Sequence, residues 1–173
     1  MEIKLSTPIH YDNRTRLRAG DEVLISGTIY TGRDEAHQRL VQAIKDNQPL
    51  PFDIKDQVIF YVGPTPAKPH QIIGACGPTS SYRMDQFSPI LMDKGLKIMI
   101  GKGPRSKDFT KSLIKHEAVY LLAIGGLGAK LSQTVISNKV IAYDDLGTEA
   151  IRKLEVVDFP AIVAIDSKGN TVL

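Results

Sequence analysis

Short apolar runs alternate with amphipathic stretches along the whole chain, and this rhythm limits the fold more than any single motif. Glu22 to Ser26, Gln57 to Val62, Ile72 to Ala75, Leu96 to Ile100, Val119 to Ile124, Lys139 to Tyr143 and Ala161 to Ile165 are each of strand length. Apolar runs this short, without polar alternation, fit strands covered on both faces. Between them the period changes. Ala36, Leu40, Ala43 and Ile44 form one stripe of a helix, with Thr31 as its expected N-cap and Asp34 and Glu35 favouring its dipole. Further helices are expected from about residue 80 to 94 (broken before Pro89 and stopped at Gly95), over 107–116, as a turn near 128–133, and over 148–154. Residues 1–20 read as an extended, polar lead-in, and the proline-rich stretch 63–69 as a rigid connection. The alternation predicts an α/β sandwich: one domain over residues 1–173, with a parallel or mixed sheet and flanking helices.

Composition narrows the function classes. A chain of 173 residues can bury about 70% of its unfolded surface, enough for a full core. Tryptophan is absent and aromatics are 6%, which disfavours a single-strand nucleic-acid binder built on stacking platforms. The net charge is +3 and the lysines are scattered, a balance suited to small anions rather than duplex DNA. Cys76 is the single cysteine. It permits no intrachain disulfide and cannot alone supply the thiolates of a zinc or iron–sulfur site. His10, His37, His70 and His116 show no metal spacing, so no metal ligand is expected in this chain. The N-terminus lacks a signal-peptide core and no run reaches membrane-span length, so a cytoplasmic protein is expected.

The chemistry concentrates where apolar runs end. His70 to Ala75 feeds a Gly77-Pro78 turn, followed by Thr79, Ser80 and Ser81 and then Arg83. If a helix starts at the hydroxyls, Thr79 and Arg83 share a face of its first turn beside unpaired backbone N–H groups, a seat for a carboxylate or phosphate. An ordinary N-cap followed by a surface arginine fits the same residues. Arg33 follows Gly32, and Lys102 lies between Gly101 and Gly103. If the preceding strands are parallel neighbours, Arg33, Arg83 and Lys102 meet at their carboxyl ends and would clamp a dicarboxylate. Three unrelated surface cations are the alternative. His37, one turn beyond Arg33, could face the same pocket. Asp34 and Asp85 are candidates to orient Arg33 and Arg83, or simple helix caps. The spacing of a phosphate loop is missing at Gly101 to Ser106, and that of GxGxxG is missing at Gly125, Gly126 and Gly128.

Four blocks in order carry a family likeness. Ser26 to His37 (Ser-Gly-Thr-Ile-Tyr-Thr-Gly-Arg-Asp-Glu-Ala-His) closely resembles the start of the beta region of class I, iron–sulfur-dependent fumarate hydratases and tartrate dehydratases. Gly77-Pro78-Thr79-Ser80-Ser81-Tyr82-Arg83-Met84-Asp85 is similar to that family's GPTT-x-x-RMD signature. Gly101 to Ser106 and Gly125-Gly126 resemble further blocks, as does the tail from Val140 to Lys168 with Asp144-Asp145-Leu146-Gly147 and Phe159-Pro160-Ala161-Ile162.

The resemblance implies a swivelling β/β/α domain and, at this length, a separate beta subunit working beside an alpha subunit. The 4Fe-4S cluster would be held by three cysteines of the alpha subunit, its open iron acting as Lewis acid, with Cys76 not a ligand. The implied reaction is the reversible hydration of fumarate to L-malate, a hydro-lyase step of the tricarboxylic acid cycle. By motif position, Arg33, Arg83 and Lys102 match contacts to the substrate carboxylates. Thr79 matches the active-site threonine that helps move the proton at carbon, activated by a group of the alpha subunit. Ser80 replaces the usual second threonine, keeping the hydroxyl and losing a methyl. L-tartrate as substrate, a non-catalytic dicarboxylate-binding module, and homodimerisation of beta chains stand as alternatives. The roles of Cys76 and Arg105 are not legible from the motifs.

Overall fold

The computed structural model describes residues 2–124 and 128–173. The strands are β1 (Glu2–Ser6), β2 (Glu22–Thr31), β3 (Val58–Phe60), β4 (Ile98–Gly101), β5 (Val119–Ala123), β6 (Val135–Ala142) and β7 (Ile151–Ile165). The helices are α1 (Tyr11–Thr15), α2 (Asp34–Lys45), α3 (Ser88–Asp93), α4 (Lys107–His116) and α5 (Gly128–Ser132), with 3₁₀ turns at Ser81–Met84 and Asp144–Glu149.

The seven strands form one mixed sheet in the order β1-β2-β3-β4-β5-β7-β6. β1 through β5 pair in parallel, and β7 runs antiparallel to β5, β6 and β2. Because β7 reaches both β5 and β2, strands β2-β3-β4-β5-β7 close on themselves, where the sequence suggested an open sandwich. β7 can do this because it is 15 residues long, more than twice a typical strand.

The alternation of side chains along β3, β4 and β5 builds two cores. Val58, Phe60, Ile98, Ile100, Val119 and Leu121 point inward and meet Val23, Ile25, Leu154, Val156 and Phe159. Ile59, Met99 and Tyr120 point outward and meet Leu40 of α2, Leu91 and Met92 of α3, and Phe109 and Leu113 of α4. Both faces of these strands are covered, which is why they read as unbroken apolar runs.

Four expectations are corrected. The helix from residue 80 is only a four-residue 3₁₀ turn, and an α-helix resumes at Ser88 with Pro89 in its first turn, where a missing N–H costs nothing. Ile72-Ile73 forms no strand; around it only isolated bridges occur, Val62 with Pro78 and Ser80 with Lys102. Residues 148–154 divide between a 3₁₀ turn and the start of β7, so the expected last strand is the end of a longer one. The lead-in holds a real strand, β1, paired with β2 from Glu2↔Glu22 to Ser6↔Ser26. The expected block Gly125-Gly126 lies outside the described residues.

Candidate active-site edge

Register brings the carboxyl ends of β2, β3 and β4 into one row. Thr31 pairs with Phe60, and Phe60 with Ile100. Arg33 and Lys102 each follow two residues beyond that row. Between them, the Thr79 N–H donates to the Tyr61 carbonyl at 2.7 Å, which holds the hydroxyl turn against the end of β3. The Ser81 N–H donates to the Lys102 carbonyl at 2.9 Å, and the Lys102 N–H returns to Ser81 Oγ at 3.0 Å. The 79–85 and 101–106 segments are therefore laced together along one edge.

That lacing corrects the picture of bare amides. The Thr79 and Ser81 amides are spent on backbone carbonyls, and so short a 3₁₀ turn offers no anion seat of its own. The hydroxyl of Thr79 makes no hydrogen bond among the described residues, although the residue is 9% exposed. Ser80 flanks the 3₁₀ turn without capping it. Ser81, fully buried, is structural instead: its Oγ accepts from Lys102 N–H and is hydrogen-bonded to the Tyr120 hydroxyl at 2.8 Å. A side chain on Gly101 would overlap that Ser81 hydroxyl, so the glycine is required by close packing rather than by ligand approach.

Arg33 stands at the N-cap position of α2, displacing the expected Thr31. Thr31 Oγ1 is instead committed to the start of β7, where it accepts from Arg152 N–H at 3.1 Å. The Arg33 guanidinium lies over Gly63 and reaches Glu149 at 3.4 Å. Its Nε is buried without a partner among the described residues.

Arg83 grips Asp34, the first residue of α2, through a two-pronged contact of 3.0 and 2.7 Å. The pair borders a cavity of about 650 Å³ lined by Asp34, Tyr82, Arg83, Asp85, Arg105 and Ser106 among others; Arg33, Thr79, Ser80 and Lys102 are not in its lining. Arg33 and Arg83 thus converge on one end of one helix. Lys102 is exposed, and its ammonium forms no ion pair among the described residues.

The acidic partners are crossed relative to expectation. Asp34 orients Arg83 rather than Arg33. Asp85 orients Arg105, a residue whose role the motifs did not disclose, at 2.5 Å. Glu149, the partner of Arg33, was missed because it fell inside an expected helix.

His37 does not face the cavity. It is fully buried, its ring set edge-on to Tyr61 with centroids 5.4 Å apart. Its Nδ1 lies 2.7 Å from the Arg33 carbonyl, to which it donates. Burial pushes its pKa down to about 4, so it stays neutral and props the backbone of Arg33.

The donor set does not suit an iron–sulfur cluster. Cys76 is the single cysteine, buried, with its thiol pKa raised to about 11 by desolvation, and one thiol cannot supply the several thiolates such a cluster needs. Among the described residues no three His, Cys, Asp or Glu side chains gather in a way that could hold a metal. No helix among them is long and apolar enough to cross a membrane.

The family model "Fumarase C-terminus" matches residues 1–173. The chain is 43% identical over 148 residues to the anaerobic class I fumarate hydratase of Escherichia coli K12, covering 84% of this chain and 27% of that protein. It is 39% identical over 160 residues to the mitochondrial fumarate hydratase 1 of Leishmania major, covering 91% and 28%. To the protein named "Putative L(+)-tartrate dehydratase subunit beta" of Methanocaldococcus jannaschii it is 38% identical over 163 residues, covering 91% of this chain and 84% of that one. The chain thus spans about a quarter of the fumarate hydratases it matches and most of the archaeal subunit. With the family model matched from end to end, the chain belongs to the fumarase C-terminal domain family.

Proposed function

We propose that this chain is the beta subunit of a hydro-lyase that reversibly hydrates fumarate to L-malate. In this reading residues 1–173 form one swivelling β/β/α domain, cytoplasmic, that closes against a cluster-bearing alpha subunit. The observation that supports the proposal is the in-register row Thr31–Phe60–Ile100, with Arg33 and Lys102 each two residues beyond it and Arg83 paired to Asp34, the residue after Arg33. Membership of the fumarase C-terminal domain family supports the same assignment.

The work of this chain is to hold a dianion and stabilise charge. Two guanidiniums and an ammonium grip the two carboxylates, with Ser80 as an added hydroxyl donor. Loss of the proton next to a carboxylate spreads negative charge onto that carboxylate. Cations already in place there stabilise the developing charge without reorganisation. Thr79, whose hydroxyl has no hydrogen bond among the described residues, would relay the carbon-bound proton. An alcohol is a weak base, so the group that activates it must come from the partner. The 4Fe-4S cluster is assigned to the alpha subunit, since the donors here do not suit it.

Co-expression with an alpha-type partner, anaerobic cluster reconstitution and assay on both diacids test the reading. Fumarate hydration by the pair and none by the isolated chain is the expected result. Robust turnover by iron-free chain alone would overturn the shared site. Extensive coverage of the archaeal relative favours a second reading, L-tartrate dehydration, in which tartrate turnover replaces fumarate turnover.

A further inference from the structure

Beneath the cationic edge lies a polar cluster that the clamp itself does not use. The Arg105 side chain is completely enclosed. Its guanidinium stacks 3.5 Å from the Phe109 ring centroid and 4.7 Å from that of Tyr120. Nε binds Asp85, and Nη2 reaches the Tyr61 hydroxyl and Ser88 Oγ, each at 3.2 Å. The second carboxylate oxygen of Asp85 accepts from Ser106 N–H at 2.6 Å. One ion pair therefore ties the segment carrying Thr79 and Arg83 to the segment carrying Lys102. A second tie, Tyr120 to Ser81 and to the Gly103 carbonyl, runs parallel to it at 2.8 Å each.

A buried ion pair is a poor source of stability, because desolvation offsets most of its attraction, and packed apolar groups of equal volume often do as well. What a planar, fixed fork offers instead is geometry. Arg105 Nη1 is buried with no hydrogen-bond partner among the described residues. We propose that Arg105 is a positioning residue: through Asp85 and Ser106 it fixes the spacing of Lys102 from Thr79 and Arg83. Its catalytic consequence rests on the dicarboxylate reading above, but its structural action does not.

The reporters are the Ser81 and Lys102 amides, which cross between the two segments. In the full chain, Arg105→Ala should speed hydrogen exchange at these two amides by roughly tenfold or more while the β4 amides keep their protection. Millimolar guanidinium should restore it by refilling the cavity. Leu113→Ala, which hollows the same helical layer, should not single out these amides. In the assembled enzyme, Arg105→Ala should lower kcat/KM by about 100-fold, the scale for a clamp misplaced by an ångström, with guanidinium rescue. Arg105→Lys, which keeps the charge without the fork, should not rescue.

Unchanged exchange at Ser81 and Lys102, or a change shared equally with β4, would overturn the proposal. So would unaltered kcat/KM in an active assembly. An inactive wild-type assembly would instead sink the hydro-lyase reading, leaving the exchange result to decide the positioning role.

Discussion

Arg83 and Asp34, far apart in sequence, meet in a two-pronged ion pair, with Nε and Nη2 on the two carboxylate oxygens at 3.0 and 2.7 Å. The pair leaves Nη1 outside the fork and fixes the plane of the guanidinium. Asp34→Asn keeps the shape but weakens the hold. It should raise the KM for dicarboxylate roughly tenfold with little change in kcat, since charge-assisted hydrogen bonds are worth about 1.5–3 kcal/mol and the site is part-exposed. Arg83→Lys, which loses the fork, should be worse than Asp34→Asn. Steady-state kinetics of the assembled enzyme decide this, and equal kinetics for all three forms would remove Arg83 from the clamp.

Arg33 is confined from below by Gly63. A Cβ there would stand 3.0 Å from Arg33 Cζ and equally close to the Thr148 carbonyl. Gly63→Ala should push the guanidinium off Glu149, raising KM several-fold with a modest stability cost, of the order of 1 kcal/mol as for mild overpacking. Kinetics and thermal melting of the same variant separate the two effects.

Gly101 offers a sharper steric test. A Cβ at this position would overlap Ser81 Oγ and come within 2.8 Å of Tyr61 Cδ2. Gly101→Ala should destabilise the chain by about 1–3 kcal/mol. Ser81→Ala, which deletes the obstructing hydroxyl, should make Gly101→Ala less costly. A double-mutant cycle by chemical denaturation measures that coupling, and strict additivity would contradict the contact.

His37 sets a pH dependence. Its pKa falls from 6.5 to about 4 in the folded chain because burial disfavours the charged ring. The unfolded chain therefore binds a proton that the folded chain refuses, and stability rises with pH in that interval. The contribution is full above pH 6.5 and is lost as the pH drops toward about 4, by at most about 3 kcal/mol at 1.36 kcal/mol per pKa unit. Urea unfolding of wild type and His37→Asn across pH 4–7 should show a steeper acid loss in the wild type.

Cys76 should be inert. With its thiol buried and its pKa raised to about 11, it should react with an aromatic disulfide reagent at pH 8 far more slowly than free cysteine, and rapidly once urea unfolds the chain.

The strands β3, β4 and β5 and the helices α2 and α4 were legible in the sequence, because burial on both faces leaves apolar runs such as Val58–Phe60, and a helix stripe such as Ala36–Leu40 repeats locally. The clamp candidates were legible for a similar reason: Arg33, Thr79, Arg83 and Lys102 each stand beside a glycine or proline turn. What pairs with what was not. Closure of the sheet depends on β7 passing Pro160 and touching both β2 and β5, a matter of long-range register that no local pattern encodes. The crossing of acids, with Asp34 on Arg83 and Asp85 on Arg105, is equally non-local. Local periodicity reports which side of an element is buried. Only the packed tertiary structure decides which distant charge completes it, because an ion pair is set by separation in space and leaves no trace in spacing along the chain.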